Sequence, residues 1–446
     1  MFKPKIRSVL IITTLVLSAN CTKDQAPAPK PDTDEQIDPE PNEPKEPTEP
    51  ETEVYFTLNT YEPPYEVEAS EDWVILHDAN GKLLDYSSYV AGDKLEFEAP
   101  TDSLTPTFSV TYLKYRNLND RKYHDVTTTT NVARGFVQNF GPYSLSESED
   151  LIKTGEFDFT VQNVPDPDRD ASPIKVELSS GRGRLGGGSG GSGFPNGTQV
   201  LTLAQIDKYE GFDDYLITIL DDFNNLKYYF LDNPSGQGFT TDYTVDFLDF
   251  EQDISIFLPP HNSYNLNVAG FKEEQEFSQN GGYWLHDVIS VLNTDVPTNP
   301  LKVGYLDIFT KYRTVFNISM DGYSYVIVNF GDPLEALVIP DKPAVTVTDP
   351  SLNAFRFNVD TEFVSGVHSW FYEEGSGANN DFLRTTWSIS ADKGFEPVVG
   401  DLPNEILEKY PDMALNLLEY SSSRFNLPMV ESEYPLASHS ITVFNQ

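Results

Sequence analysis

Cysteine occurs once in the 446 residues, at position 21, so neither an intrachain disulfide nor a cysteine-built zinc site can form. Cations are scarce as well. The 30 Lys+Arg stand against 70 Asp+Glu, a formal net charge of −40. Phosphate binding needs a basic surface, so this balance excludes nucleic acid as a partner and excludes docking of the protein surface on anionic lipid. The six histidines, at positions 77, 124, 261, 286, 368 and 439, include no two within five residues of each other. None forms the H-E-x-x-H or H-x-H spacing that holds zinc. Long apolar runs are also missing. Val9 to Leu17 is a nine-residue run with Thr13 and Thr14 inside it. As a helix it rises ~14 Å, less than half of a ~30 Å hydrocarbon core. With Lys3, Lys5 and Arg7 ahead of it, the run reads as a secretory signal and not as a membrane span.

Apolar material for folded cores is nonetheless present, at 39% hydrophobic and 13% aromatic residues, so wholesale disorder is excluded. It is unevenly placed. Residues 22–53 hold 8 Pro and 11 Asp+Glu, no aromatic, and Ile37 as the one large aliphatic. Such a segment cannot bury enough surface to offset chain entropy, and proline with like charge keeps it extended. It is predicted to be a disordered stalk.

From Val54 the apolar period becomes two. Phe157 to Val161, Tyr264 to Val268, Phe355 to Val359, Val345 to Val347 and Trp387 to Ser390 all alternate, the mark of half-buried antiparallel strands. Asn80-Gly81, Asn233-Pro234, Asp321-Gly322 and Asp332-Pro333 supply turns between such runs. Helical signals are few: Leu402 to Tyr410, opened by Pro403 and stopped by Pro411, and a shorter stretch from Leu203 to Tyr209. The expected fold is all-β: a signal over 1–20, the stalk over 21–53, then tandem antiparallel β-sandwich modules over 54–149, 154–293 and 300–446. Trp73 to Lys82 and Leu216 to Asn225, each an apolar strand running into an acidic, Asn-bearing turn, suggest an internal repeat.

The stretch Leu17-Ser18-Ala19-Asn20-Cys21, following a basic and then an apolar segment, resembles a bacterial lipoprotein signal. The resemblance implies that Cys21 is acylated and becomes the first mature residue. Lys23-Asp24 is similar to the export signal of Bacteroidota lipoproteins displayed on the outer face of the outer membrane. The body resembles, at the level of pattern, the immunoglobulin-like and transthyretin-like sandwiches of such lipoproteins. These resemblances imply an outer-membrane protein, tethered by lipid and facing the cell surface, with the periplasmic face as the alternative.

Four groups of residues are candidates for chemistry. Asp166, Asp168, Asp170 and Glu177 occupy positions 1, 3, 5 and 12 of a calcium-loop spacing, although Ala171 stands where the turn glycine belongs; an acidic solvated turn is the plainer reading. Gly187-Gly188-Ser189-Gly190-Gly191 matches a nucleophile elbow in form, but inside the Gly-rich run 181–197, which reads as a flexible loop. Arg182 and Arg184, within that run, are rare positive charges that could order it on a ligand. Trp370 and Tyr372, flanking Phe371, are candidates for stacking on a sugar, against the usual role of a strand tryptophan as core. No residue is singled out as catalytic and no cofactor beyond a calcium ion is implied. The expected role is non-catalytic binding or adhesion toward an extracellular glycan or protein. A hydrolase with a loop-built site and an accessory subunit of an outer-membrane complex are the alternatives.

Overall fold

A computed structural model of the chain describes residues 51–61, 70–141, 152–162, 174–181, 183–190, 201–210, 214–220, 226–231, 242–273, 281–291, 300–375, 382–394, 397–428 and 437–445. Glu51–Gln446 is one compact unit. The fold is all-β, as the alternation predicts, and its strands repeat a single pattern.

The first copy comprises β1 (Thr52–Thr60), β2 (Glu71–Asp78), β3 (Leu83–Tyr89), β4 (Lys94–Pro100), β5 (Thr107–Leu118), β6 (Arg121–Ala133) and β7 (Phe136–Phe140). They make two layers, β4-β1-β7 and β3-β2-β5-β6, with β1 and β7 the parallel pair. Tyr55, Phe56 and Leu58 from the first layer pack on Val74, Leu76, Phe108 and Val110 from the second. The second copy comprises β8 (Lys153–Gln162), β9 (Ile174–Ser180), β10 (Gly183–Gly190), β11 (Leu201–Tyr209), β12 (Tyr215–Leu220), β13 (Leu226–Leu231) and β14 (Asp242–Asp246). Its layers are β11-β8-β14 and β10-β9-β12-β13, with β8 and β14 parallel and β15 (Leu248–Asp249) added beside β13.

β16 (Gln252–Ile256), β17 (Ser263–Phe271), β18 (Tyr283–Val291), β19 (Leu301–Tyr305), β20 (Lys311–Met320) and β21 (Tyr323–Gly331) form a third copy, layered as β16-β19 and β18-β17-β20-β21. The fourth has β22 (Val345–Asp349) paired with β23 (Arg356–Val359), and β24 (Ser365–Glu374), β25 (Phe382–Asp392), β26 (Glu419–Asn426) and β27 (Ser438–Phe444) in the order β25-β24-β26-β27. Helix α1 (Asn404–Lys409) occupies the stretch between β25 and β26 where the other copies have their fourth strand. It falls where Pro403 and Pro411 place it. Leu203 to Tyr209, expected as a helix, is instead part of β11; its Leu, Ile and Tyr pair against β8, and tertiary pairing overrides a weak local preference.

Three modules are thus corrected to four copies. The expected boundary between 293 and 300 cuts the third copy, between β18 and β19. The repeat inferred from Trp73 to Lys82 and Leu216 to Asn225 is present but out of phase, since β2 corresponds to β9 and β12 to β5. Nor are the copies separate beads. The four-stranded layers of copies three, four and one join edge to edge in one 12-stranded sheet, β18-β17-β20-β21-β27-β26-β24-β25-β6-β5-β2-β3. Copy two attaches to copy three, where the Trp284 amide donates to Ser179 Oγ at 2.8 Å and the Gly282 amide to the Gly181 carbonyl at 2.9 Å. Gly183–Gly190 of the Gly-rich run is strand β10 and not a loop; it pairs with β9 and forms the edge of that layer.

The junction of copies four and one rests on burial. Trp73, Ile75, Leu113 and Val126 share a core with Trp370 and Trp387, covered by Val399, Leu402, Ile406, Tyr410 and Met413 from the α1 segment. β2 therefore loses both faces to packing: Trp73 through His77 are all buried, which explains its unbroken apolar run. Polar contacts set the register of this docking. Tyr410 OH donates to Glu71 Oε2 at 2.5 Å, Trp73 Nε1 donates to Tyr410 OH at 3.1 Å, and Lys409 pairs with Glu71 at 2.8 Å. The Lys409 and Tyr410 donors hold the Glu71 carboxyl below its ordinary range. His77 Nε2 lies 2.9 Å from the Asp401 carbonyl. An exposed ion pair contributes ~1 kcal/mol or less, whereas each fully buried large apolar side chain contributes about 1.5–3 kcal/mol, so the apolar core carries the junction.

Gly400 lies against the His77 imidazole, where an added Cβ would overlap the ring. Gly400→Ala is expected to lower the urea midpoint of the whole unit, a loss of about 1–3 kcal/mol. An unchanged midpoint would mean that the α1 segment does not seat on β2.

Candidate functional site

Strand alternation gives the 12-stranded sheet two chemically different faces. On one, Trp73, Leu113, Val126, Trp387, Trp370 and Tyr420 lie in a single register row across β2, β5, β6, β25, β24 and β26. On the other, the adjacent row reads Val74, Tyr112, Thr127, Ser388, Ser369 and Ser422. The change from apolar to hydroxyl follows the cover. The β4-β1-β7 layer packs over the β2 and β5 end of this face, and past β6 the side chains become small and polar, as on a solvated antiparallel sheet. Ser369 and Ser388 meet there, their Oγ atoms 3.0 Å apart.

A cleft of about 270 Å³ lies at the step where the cover stops. Its floor is Val110 and Thr129 with Ser390 of β25, a row in register, and β7 supplies Phe136 and Gln138 along one side. Asp392 brings the charge. The far wall is a bulge in β6: Phe108 pairs with Val132 and Val110 with Thr129, so β6 carries one residue more than its partner. Asn131 absorbs the excess with φ of 60°, a left-handed conformation that asparagine tolerates better than other side-chain-bearing residues. Bulges of this kind re-aim side chains beside binding sites. Thr130 Oγ1 donates to the Ser390 carbonyl at 3.1 Å and ties the bulge to β25. Beyond it Gly135, with φ of 77°, turns the chain from one layer into the other and donates its amide to the Tyr55 carbonyl. The cleft therefore offers hydroxyls, two amide side chains, one carboxylate and a ring, Phe136, which is 44% exposed.

These residues form no recognisable motif in the sequence. The one local signal was Thr127 to Thr130 followed by Asn131, a polar run on a strand that should alternate. Of the residues that the sequence did propose, Trp370 is buried at 1% exposure and donates its indole N–H to the Pro350 carbonyl at 2.8 Å. That corrects the expectation of an exposed stacking surface. Tyr372 is half-buried on the same side of β24 and donates to Glu374 at 3.0 Å, while Phe371 points to the opposite face, so strand geometry splits the aromatic triplet. Glu177 lies on β9 between β10 and β12, buried at 3% exposure; Asp166, Asp168 and Asp170 lie outside the described residues, as do Cys21 and the stalk through Pro50. No group of three metal-ligating side chains is positioned to hold an ion among the described residues. Gly187 to Gly190 of the elbow motif are on β10, which puts Ser189 inside a strand and not on the turn that a nucleophile elbow requires. No helix among the described residues is long and apolar enough to cross a membrane.

One serine does meet a histidine. His368 Nδ1 is 2.6 Å from Ser423 Oγ, and Tyr420 OH is 2.8 Å from the same oxygen. All three side chains are buried, against Phe355 and Phe357 rings whose centroids lie 4.6 and 4.5 Å from the imidazole, so no substrate reaches the serine. Burial pushes the His368 pKa down to about 4. No protein-family model matches this sequence, and none of the curated proteins it was compared with is significantly similar.

An unfolded histidine titrates near 6.5, so between that pH and 4 the unfolded chain binds the extra proton. The stability due to neutral His368 is complete above pH ~6.5 and is lost as the pH falls toward 4, by about 3 kcal/mol. Burial also holds His77, His124 and His439 down, which adds in the same direction. Urea midpoints at pH 7 and 4.5 are expected to differ less in His368→Asn than in the parent; an equal difference would contradict this.

Proposed function

We propose that the chain is a lipid-anchored envelope protein with a non-catalytic binding role, presenting its β body to an extracellular protein or glycan. The observation that carries the reading is the cleft between β7, the β6 bulge and β25, opening onto an uncovered hydroxyl-bearing sheet face. Its groups suit recognition: amides, hydroxyls and an exposed ring give orientation and contact, while a single carboxylate does not make the acid and base pair that glycoside hydrolysis uses. The tether in this reading is Cys21, with residues 22–50 as a spacer that could reach ~90 Å when extended as polyproline, since Thr52 and Glu53 of the expected stalk belong to β1. Acyl chains contribute ~0.8 kcal/mol per buried methylene, enough for a firm anchor when more than one is attached.

Two measurements test it. Cys21→Ser is expected to abolish palmitate labelling and to move the protein out of the membrane fraction; labelling that survives the change would remove the anchor. The full chain, probed on arrays of oligosaccharides and on whole cells, is expected to bind, and Gln138→Ala with Asp392→Ala to weaken binding roughly tenfold, the loss of about 1.4 kcal/mol. Silence of the parent on both, or binding unchanged by both substitutions, would refute the cleft as the site.

A further inference from the structure

β7 is the edge of its layer: among the described residues it pairs with β1 alone. One row of its backbone N–H and C=O groups therefore faces outward, a template for another strand. Folded sheets normally blunt such edges with charge or proline. The other edge of this layer does so, for β4 carries Lys94, Glu96 and Glu98 and ends at Pro100, with Lys94 paired to Glu96 at 2.6 Å. β7 reads Phe136-Val137-Gln138-Asn139-Phe140, with neither charge nor proline, and Phe136 and Val137 are 44% and 46% exposed. Phe136 and Gln138, on one side of the strand, line the cleft. A strand laid along β7 would therefore set every second side chain over the cleft and the hydroxyl face beyond it.

We propose that β7 takes up an extended segment of a partner polypeptide by strand addition, with a Lys or Arg side chain of that segment seated in the cleft against Asp392. The proposal rests on the binding role above and names its ligand. A row of backbone donors and acceptors is matched by another backbone and not by a sugar or a lipid tail. Asp392 is the charged residue of the cleft lining, and a net charge of −40 attracts a basic segment while opposing a second copy of the chain. At about 270 Å³ the cleft is also smaller than the ~300–1,000 Å³ of whole small-molecule sites, a size suited to one side chain.

The probes are a labelled decapeptide alternating Lys with Val or Thr, its Glu-for-Lys counterpart, and the Lys peptide N-methylated at alternate amides, each titrated into the full chain. The Lys peptide is expected to bind and to slow amide exchange within Phe136–Phe140. N-methylation and Val137→Lys are each expected to weaken it at least tenfold, the latter without moving the unfolding midpoint. Asp392→Asn should weaken the Lys peptide and reduce its salt dependence. Equal binding of the methylated peptide, or protection that spares β7, would overturn strand addition. Self-association that Val137→Lys abolishes would overturn the choice of occupant. Oligosaccharides bound through Gln138 and Asp392, with no peptide bound, would overturn this proposal while leaving the binding role intact; silence of every probe, cells included, would remove both.

Discussion

Six side chains in one register row, Trp73, Leu113, Val126, Trp387, Trp370 and Tyr420, cross the junction between the last copy of the repeat and the first. The ladder at that junction, β6 beside β25, is the parallel one in a sheet whose other neighbours are antiparallel, and it joins segments some 260 positions apart in the chain. Parallel pairing is slightly weaker per residue, and closing so long a loop costs entropy. The burial of the row under the α1 segment offsets both. Trp387 Nε1 donates to Thr128 Oγ1 at 3.0 Å across the seam, so the tryptophan at the ladder itself also has its polar atom satisfied.

This junction decides what the two faces of the sheet can do. The α1 segment and β22 with β23 pack on the tryptophan face. Copy one keeps its own second layer on the opposite side, where Tyr55, Phe56 and Leu58 meet Val74 and Leu76. The cover thus changes sides between adjacent copies, and a step is left where β7 ends and β25 begins. The cleft, the bulge at Asn131 and the uncovered row of serines are consequences of that step. A chain of four sandwiches strung end to end would have none of them, because no strand of the fourth copy would lie beside β6.

The strands themselves were legible in the sequence, because half-buried antiparallel strands write their burial as alternation: Phe157 to Val161 and Trp387 to Ser390 are both in strands as read. The helix at Asn404–Lys409 was legible from its two prolines. What could not be read was everything that depends on which strand lies beside which. Leu203 to Tyr209 and Gly183–Gly190 of the Gly-rich run became strands because a neighbour paired with them. Trp370 became core because β22, β23 and α1 cover its face, which no local pattern states. The cleft was out of reach for the same reason, since Asn131 and Ser390 are neighbours only through the β6–β25 ladder.

Native-state hydrogen exchange at increasing urea tests the junction most directly. If copies one and four are a single cooperative body, the amides of β2, β5 and β6 open with the same free energy and urea dependence as those of β24, β25 and β26. If β2, β5 and β6 instead open at lower free energy while β24 to β27 stay protected, the row of six side chains does not bind the two copies together, and the account of the cleft falls with it.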